Sequence, residues 1–437
     1  MSAKRKRTGE ANHGKLGLLP VVAIGVGGMV GGGIFAVLGL AVQLAQGGTP
    51  VAFALAGIVA LLTAHSYARL SVRYPSRGGT VTFLDRAFGA GVVTGSLNIL
   101  LWLSYVVMLS LYAFAFGSYG ATFLPTCWHL VGKHALISLA VLAIGGLNLL
   151  SAEVIGKAEN WIVALKILIL LIFVGVGVFG VAPAALAPDA WSPPLQLVAG
   201  GMIIFLAYEG FELIANTAQD VSDPQVTLPR AYYLAVGFVI VLYILVAGVT
   251  IGNLSIEEIV TARDYALAAA ARPFLGQAGF TLIAIAAMLS TASAINATLY
   301  GAARLSYCIA RDGELPAALE RKVWGEPIEG LLITIGLTLI VANAFDLTSI
   351  STLGSAGFLL IFAAVNMANA VHAREARSRR WLSCAGAAAC VIALAALIWQ
   401  TALSEPSKLW VLAVLVAVPV AIESAFRLRH RELRIDK

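Results

Sequence analysis

Gly25-Val26-Gly27-Gly28-Met29-Val30-Gly31-Gly32-Gly33-Ile34-Phe35 sits inside the first long apolar stretch, which carries no Asp, Glu, Lys or Arg from Leu16 to Ala68. A stretch of that length without charge belongs in lipid, where about 20 apolar residues cross the hydrocarbon as a helix. Glycine is costly to hold in a helix, roughly 1 kcal/mol relative to alanine. Irregular backbone at membrane depth is tolerated only where it is buried or lines a cavity. Six glycines in the nine positions from Gly25 to Gly33 therefore predict a discontinuous helix whose freed N–H and C=O groups face a ligand. A tight packing face of small residues would need fewer of them.

The rest of the chain agrees with a membrane setting. Its 437 residues are 59% hydrophobic and only 12% charged, with a mean hydropathy of +0.89. That composition excludes a soluble globule. The polar, basic start Lys4-Arg5-Lys6-Arg7 does not read as a cleavable signal. The apolar runs fit twelve spans, near 17–46, 51–71, 90–123, 134–152, 159–182, 195–219, 231–253, 276–308, 329–343, 348–371, 381–400 and 409–427. We read one transmembrane domain over 16–428, with tails 1–15 and 429–437.

Lys and Arg fix the expected orientation. With the N-terminus inside, 24 of the 29 fall on the cytoplasmic side, and only Lys133, Arg263, Arg272 and Lys408 fall outside. Both termini are thus expected in the cytoplasm, on a multi-pass protein of the cell membrane. The net charge of +6 is spread over separate loops, which suits attraction to lipid and argues against a nucleic-acid partner. Cys127, Cys308, Cys384 and Cys390 show neither metal spacing nor a disulfide framework. No phosphate-binding loop or catalytic motif stands out, so no cofactor, metal or enzymatic activity is expected.

The sixth span repeats the oddity of the first. Phe205-Leu206-Ala207-Tyr208-Glu209-Gly210-Phe211-Glu212 places two acids and a glycine in a run otherwise uncharged between Asp189 and Asp220. The segments 17–182 and 195–371 each hold five spans. An odd number means that the second copy is inserted upside down, with spans eleven and twelve (381–427) outside the repeat. Corresponding broken helices in inverted halves point to a transport site near the midplane. The paired breaks suit a zwitterion. They place its carboxylate on the backbone at Gly31, Gly32 and Gly33, and its ammonium on carbonyls near Met29, Phe205 and Ala207.

Several motifs, in order, carry a family resemblance. Gly31-Gly32-Gly33-Ile34-Phe35 resembles the first-helix motif of the amino acid–polyamine–organocation permeases. Phe205 to Glu212 resembles their sixth-helix motif, followed by Asp220, Asp223-Pro224 and Leu228-Pro229-Arg230-Ala231. Ser293-Ala294-Ile295-Asn296-Ala297-Thr298 through Ala310-Arg311-Asp312-Gly313-Glu314-Leu315-Pro316 is similar to their eighth helix and the loop after it. Tyr74-Pro75, Gly78-Gly79 and Ala87-Phe88-Gly89 fit the loop after helix two. The resemblance implies an all-α membrane protein of the 5+5 inverted-repeat (LeuT-like) fold, with helices 1 and 6 broken. It further implies alternating access and an amino acid substrate. Where the family often has Ser or Thr, this chain has Gly32, which leaves only backbone at that point.

Lys166 is the one charge between Glu159 and Asp189. Seven residues at 1.5 Å each put it about 10 Å beyond Glu159 along a helix. A charge inside a span is a functional hypothesis, against the alternative of a lysine snorkelling to the interface. The resemblance implies that its ammonium replaces a sodium ion in proton-driven members, with the Gly27 carbonyl and the Ser290 hydroxyl as neighbours. Glu209 could meet the substrate ammonium or relay a proton, or serve as a structural acid. Glu212 reads as structural or as part of a cytoplasmic path, and His65 as a packed, satisfied histidine rather than a proton-transfer group. Trp102, Tyr105 and Tyr112 read as core or interface aromatics, one of which could gate. The functional expectation is proton symport of amino acids without sodium. An amino acid or polyamine exchanger stands as the alternative, with a sodium symporter or a non-transporting sensor behind it.

Overall fold

The computed structural model describes residues 16–89, 91–150, 153–311 and 328–435. The basic N-terminal tail and Asp312 to Pro316 lie outside them. Within the C-terminal tail only a backbone helix, as far as Ile435, is described.

Among the described residues the chain is helical, with two isolated β-bridges and no strand. The helices are α1 (Leu18–Met29), α2 (Gly33–Ala45), α3 (Thr49–Arg73), α4 (Thr80–Phe88), α5 (Val92–Ala121), α6 (His129–Leu150) and α7 (Glu153–Gly177). They continue with α8 (Pro194–Ile203), α9 (Pro224–Asn253), α10 (Ile256–Thr261), α11 (Ala266–Arg311), α12 (Ile328–Ala344), α13 (Leu347–Val371), α14 (Arg380–Ser404) and α15 (Leu409–Ile435). Nine of the described spans are long and apolar enough to cross a membrane, eleven if each of two bent pairs is one span. Ile328–Ala344 is apolar but shorter.

The two bent pairs are the two segments that the glycines and acids mark. α1 and α2 meet at 47°, and α8 meets the segment Phe205–Asp220 at 48°. Beyond the second break the chain is not α-helical. It runs as two 3-10 segments, Phe205–Tyr208 and Phe211–Asp220. A 3-10 helix rises about 2.0 Å per residue against 1.5 Å, so this half reaches further per residue than an α-helix. A shorter helical piece from Ala266 precedes the eighth span and is separated from it by Gly276, whose φ of +63° is not helical, so the span itself starts at that glycine, as the sequence predicts.

Elements around these pairs supply the partners that a break removes. Ser351 and Ser355 of α13 donate to the Ile203 carbonyl at 2.7 and 2.8 Å, and the Leu206 N–H donates back to Ser355 at 3.1 Å. Tyr208 donates to the Phe53 carbonyl of α3 at 2.9 Å. Below them the Tyr67 ring meets Phe83, Phe211 and Phe362 edge-on at 5.9, 5.6 and 5.7 Å. Buried backbone groups are therefore satisfied where regular helix is lost, as lipid requires.

The pairs are also tied at both ends. Leu16 forms a parallel bridge with Val221, its N–H on the Asp220 carbonyl at 2.7 Å and its carbonyl accepting from Ser222 at 2.8 Å. At the opposite ends Gln46 bridges Trp191, and the Gly47 N–H reaches the Ala190 carbonyl at 3.0 Å.

Outside the spans, Asp346 caps α13 by accepting from the Ser349 N–H at 3.2 Å and takes the Lys408 ammonium at 3.0 Å. Burial pushes this carboxyl up, but the Ser349 hydrogen bonds and the Lys408 charge outweigh it and hold it below the usual carboxylate range. A cap of this kind contributes about 1 kcal/mol. Because the folded value is depressed, the contribution is present above the unfolded carboxylate pKa of about 3.9 and fades as pH falls through the folded value. Asp346→Ala should therefore melt a few degrees below wild type at pH 7 in a thermal-shift measurement, and the gap should close below about pH 4. A gap that persists unchanged at low pH would show that the carboxylate charge is not what the cap uses.

Candidate functional site

The two breaks cross back to back. A Cβ on Gly28 would stand 2.8 Å from the Gly210 carbonyl oxygen, and one on Gly210 would stand 2.4 Å from the Gly28 carbonyl carbon. Gly210 has φ +115°, in the left-handed region that glycine adopts at no cost. The glycines of the first break show no such φ. They are needed for space: a Cβ on Gly33 would meet the Ala207 Cα at 2.7 Å, and one on Gly32 the Tyr112 ring at 2.3 Å. The N–H groups of the first turn of α2 have no partner within their own helix. The C-terminal end of α1 offers carbonyls beside them, so both dipole ends meet at the break.

Those carbonyls have defined partners in this conformation. Lys166 Nζ of α7 donates to the Gly27 carbonyl at 2.9 Å, although the side chain is only 3% exposed. Ser290 of α11 donates to the Val30 carbonyl at 3.1 Å and also to that of Gly31. Tyr243 of α9 places its hydroxyl between the carbonyls of Met29, at 2.7 Å, and Ala207, at 3.2 Å. Thus Lys166 and Ser290 grip the first break from two different helices, on carbonyls three and four residues apart. Tyr243 spans the two breaks.

The acids of the second break are buried. Glu212 accepts from the Gly210 N–H at 2.8 Å and from the Tyr105 hydroxyl at 3.3 Å, which satisfies a donor the break sets free. The Glu209 carboxyl meets the Glu212 carboxyl and the Tyr112 hydroxyl.

Beside the crossing lies a cavity of about 420 Å³. Gly27, Gly28, Glu209 and Gly210 line it together with Tyr112, Ser293 and Thr298. Small-molecule sites commonly run from about 300 to 1,000 Å³. A second cavity of about 500 Å³ shares Leu213, Thr217, Ala297, Thr298 and Tyr300 with it and reaches Arg77, Asp220 and Arg304. The pair forms a path from the crossing toward the arginine-rich face. Of the site residues read from the sequence, Gly27 and Glu209 line the inner cavity. Met29, Gly31, Gly32, Gly33, Phe205 and Ala207 lie buried in the crossing, and Lys166 and Ser290 hold it from behind. Tyr243 is missing from the sequence reading. A lone tyrosine in the apolar run Val239 to Val249 carries no signal that separates it from an interfacial aromatic.

Residues 16–419 match the amino acid permease family. An uncharacterized protein of Methanocaldococcus jannaschii is 38% identical over 378 residues, covering 85% of this chain and 86% of the relative. The inner membrane transport protein YbaT of Escherichia coli is 39% identical over 361 residues, 82% of this chain and 84% of the relative. The methylthioribose transporter of Bacillus subtilis is more distant, at 27% over 378 residues, 81% of this chain and 80% of the relative.

Proposed function

Given that the chain belongs to the amino acid permease family, we propose that it imports amino acids by alternating access, coupled to protons and independent of sodium. The observation that carries the coupling is the Lys166 ammonium on the Gly27 carbonyl. A cation already sits on the carbonyls of the first broken helix, so no sodium ion is needed there. The helices support twelve spans, counting each bent pair once and adding Ile328–Ala344. They support two inverted repeats, over 17–182 and 195–371. Both termini then lie in the cytoplasm, and the path toward Arg77 and Arg304 is open inward.

A zwitterion suits the donors and acceptors of the crossing. Its carboxylate takes the N–H groups from Gly31 to Gly33, and its ammonium takes the carbonyls of Met29, Phe205 and Ala207, or the Glu209 carboxyl. Tyr243 occupies two of those carbonyls and must yield when substrate binds, so it serves as a placeholder for the ammonium. Lys166 protonated ties α7 to α1; deprotonated, it lets the two groups of helices rock apart.

Reconstituted protein tests the reading. Uptake driven by a pH gradient alone supports symport, whereas uptake only with substrate trapped inside supports an exchanger. Replacing sodium by choline at fixed pH should leave initial uptake within about twofold, well under the tenfold change that 1.4 kcal/mol of lost binding would produce. A steep, saturable sodium dependence would replace this proposal with sodium symport. The substrate itself is found by thermal shift against the twenty amino acids, with methylthioribose as a neutral comparison. A ligand at 100 times its Kd stabilises by about 2.7 kcal/mol.

A further inference from the structure

A second polar cluster sits where α3, α9 and the loop between α13 and α14 meet. His65 of α3 is 7% exposed, with its Nδ1 2.6 Å from the Tyr233 hydroxyl of α9 and its Nε2 3.1 Å from the Ser378 hydroxyl. Asn369 of α13 donates to Ser378 at 2.9 Å, which fixes the loop. Arg69 lies one turn beyond His65 on the same face of α3, and Arg379 follows Ser378 directly. Both guanidiniums act electrostatically on His65, and Arg69 acts on Tyr233 as well.

The two arginines lack the partners that their neighbours have. Arg73 meets Glu375, and Arg77 meets Asp220. Among the described residues, neither Arg69 nor Arg379 pairs with a carboxylate. The Arg69 Nε is buried with no hydrogen-bond acceptor. A buried, charged donor without an acceptor is expensive, so an anion belongs there. Guanidinium geometry matches a phosphate in particular.

The surroundings decide the source of that phosphate. Ile58 and Leu61 stand on the His65–Arg69 face of α3, further into the membrane, and are 54% and 37% exposed. On α9, Gly237 leaves open space one turn beyond Tyr233, and Val241, a turn further, is 58% exposed. Tyr233, 39% exposed, stands at the level where tyrosines mark the membrane interface. Exposed apolar side chains thus run inward from two arginines that meet no carboxylate among the described residues. We propose that Arg69 and Arg379 bind the phosphate of an anionic phospholipid from the leaflet on the arginine-rich face, with an acyl chain along Ile58, Leu61 and the Gly237 gap. Basic pockets between transmembrane helices take anionic headgroups in this way. The lipid would brace α3 and α9 to the α13–α14 loop.

The test uses the full chain purified in neutral detergent. Phosphatidylglycerol should raise Tm by a few degrees and survive as a bound adduct in native mass spectrometry, whereas phosphatidylcholine should do neither. Arg69→Gln with Arg379→Gln should lose both signals. Arg86→Gln with Arg374→Gln removes two exposed charges on the same face and should keep both. Should the first pair fail to fold, Arg379→Gln alone changes an exposed side chain and should weaken phosphatidylglycerol binding at least threefold. Equal effects of phosphatidylcholine would overturn the proposal, as would undiminished binding by the arginine variants. Inorganic phosphate or glycerol phosphate reproducing the full shift would assign the site to a soluble anion and overturn the lipid.

Discussion

Lys166→Ala is expected to abolish pH-driven accumulation, lowering concentrative uptake by more than tenfold while some substrate binding survives. The ammonium is nearly inaccessible and lies 2.9 Å from the Gly27 carbonyl, one residue from the point where the two breaks touch. A tenfold change is about 1.4 kcal/mol, within what one charge-assisted hydrogen bond of this kind contributes. Lys166→Arg should not rescue accumulation, because guanidinium stays charged throughout the relevant pH range and cannot release the proton. The measurement is pH-dependent uptake by both variants in liposomes, with substrate binding followed separately by thermal shift. If either variant keeps the wild-type pH profile and still concentrates substrate, Lys166 is a structural lysine and Glu209 is the next residue to examine.

Gly210→Ala should be as damaging by a different route. A left-handed φ costs a residue with a Cβ about 1–3 kcal/mol. Here the new methyl would also be driven to 2.4 Å from the Gly28 carbonyl carbon, which is backbone and cannot swing aside. The two breaks would be forced apart, and uptake should fall more than tenfold in protein that still elutes as a single species. Gly248→Ala, at a glycine with open space around it, should be close to wild type. Wild-type uptake by Gly210→Ala would show that the crossing tolerates separation and that the transport site lies elsewhere.

How much of this could be read in the sequence differs from one break to the other. The first announces itself, because six glycines in an uncharged run have no cheap explanation in lipid. The second is announced by Glu209 and Glu212, since buried acids demand partners. What the residues could not convey was where the freed groups go. Nothing near Ser351, Ser355 or Tyr243 in the sequence marks them as partners of backbone more than 30 residues away. Such contacts depend on how helices are rotated against each other, and one tyrosine or serine in an apolar span has no periodicity to reveal its facing. The role of the glycines was also only half legible. Their density reads as conformational freedom, yet in the first break it is room for Tyr112 and Ala207 that they provide. The start of the eighth span was legible too, because Gly276, at φ +63°, interrupts the helix where the sequence placed that start.

The bridges at Leu16–Val221 and Gln46–Trp191, together with the contact of Gly28 on Gly210, have a mechanical consequence. Two rods pinned at one point can scissor; pinned at both tips and touching at the waist, they make a braced frame with no internal hinge. Neither half of the first helix can peel away from the sixth unless a pin breaks, and each pin is made of main chain, beyond the reach of side-chain rearrangement. Whatever turns during a transport cycle must therefore swing as a whole frame against the helices around it, and the looseness the cycle needs has to reside at the frame's outer edges.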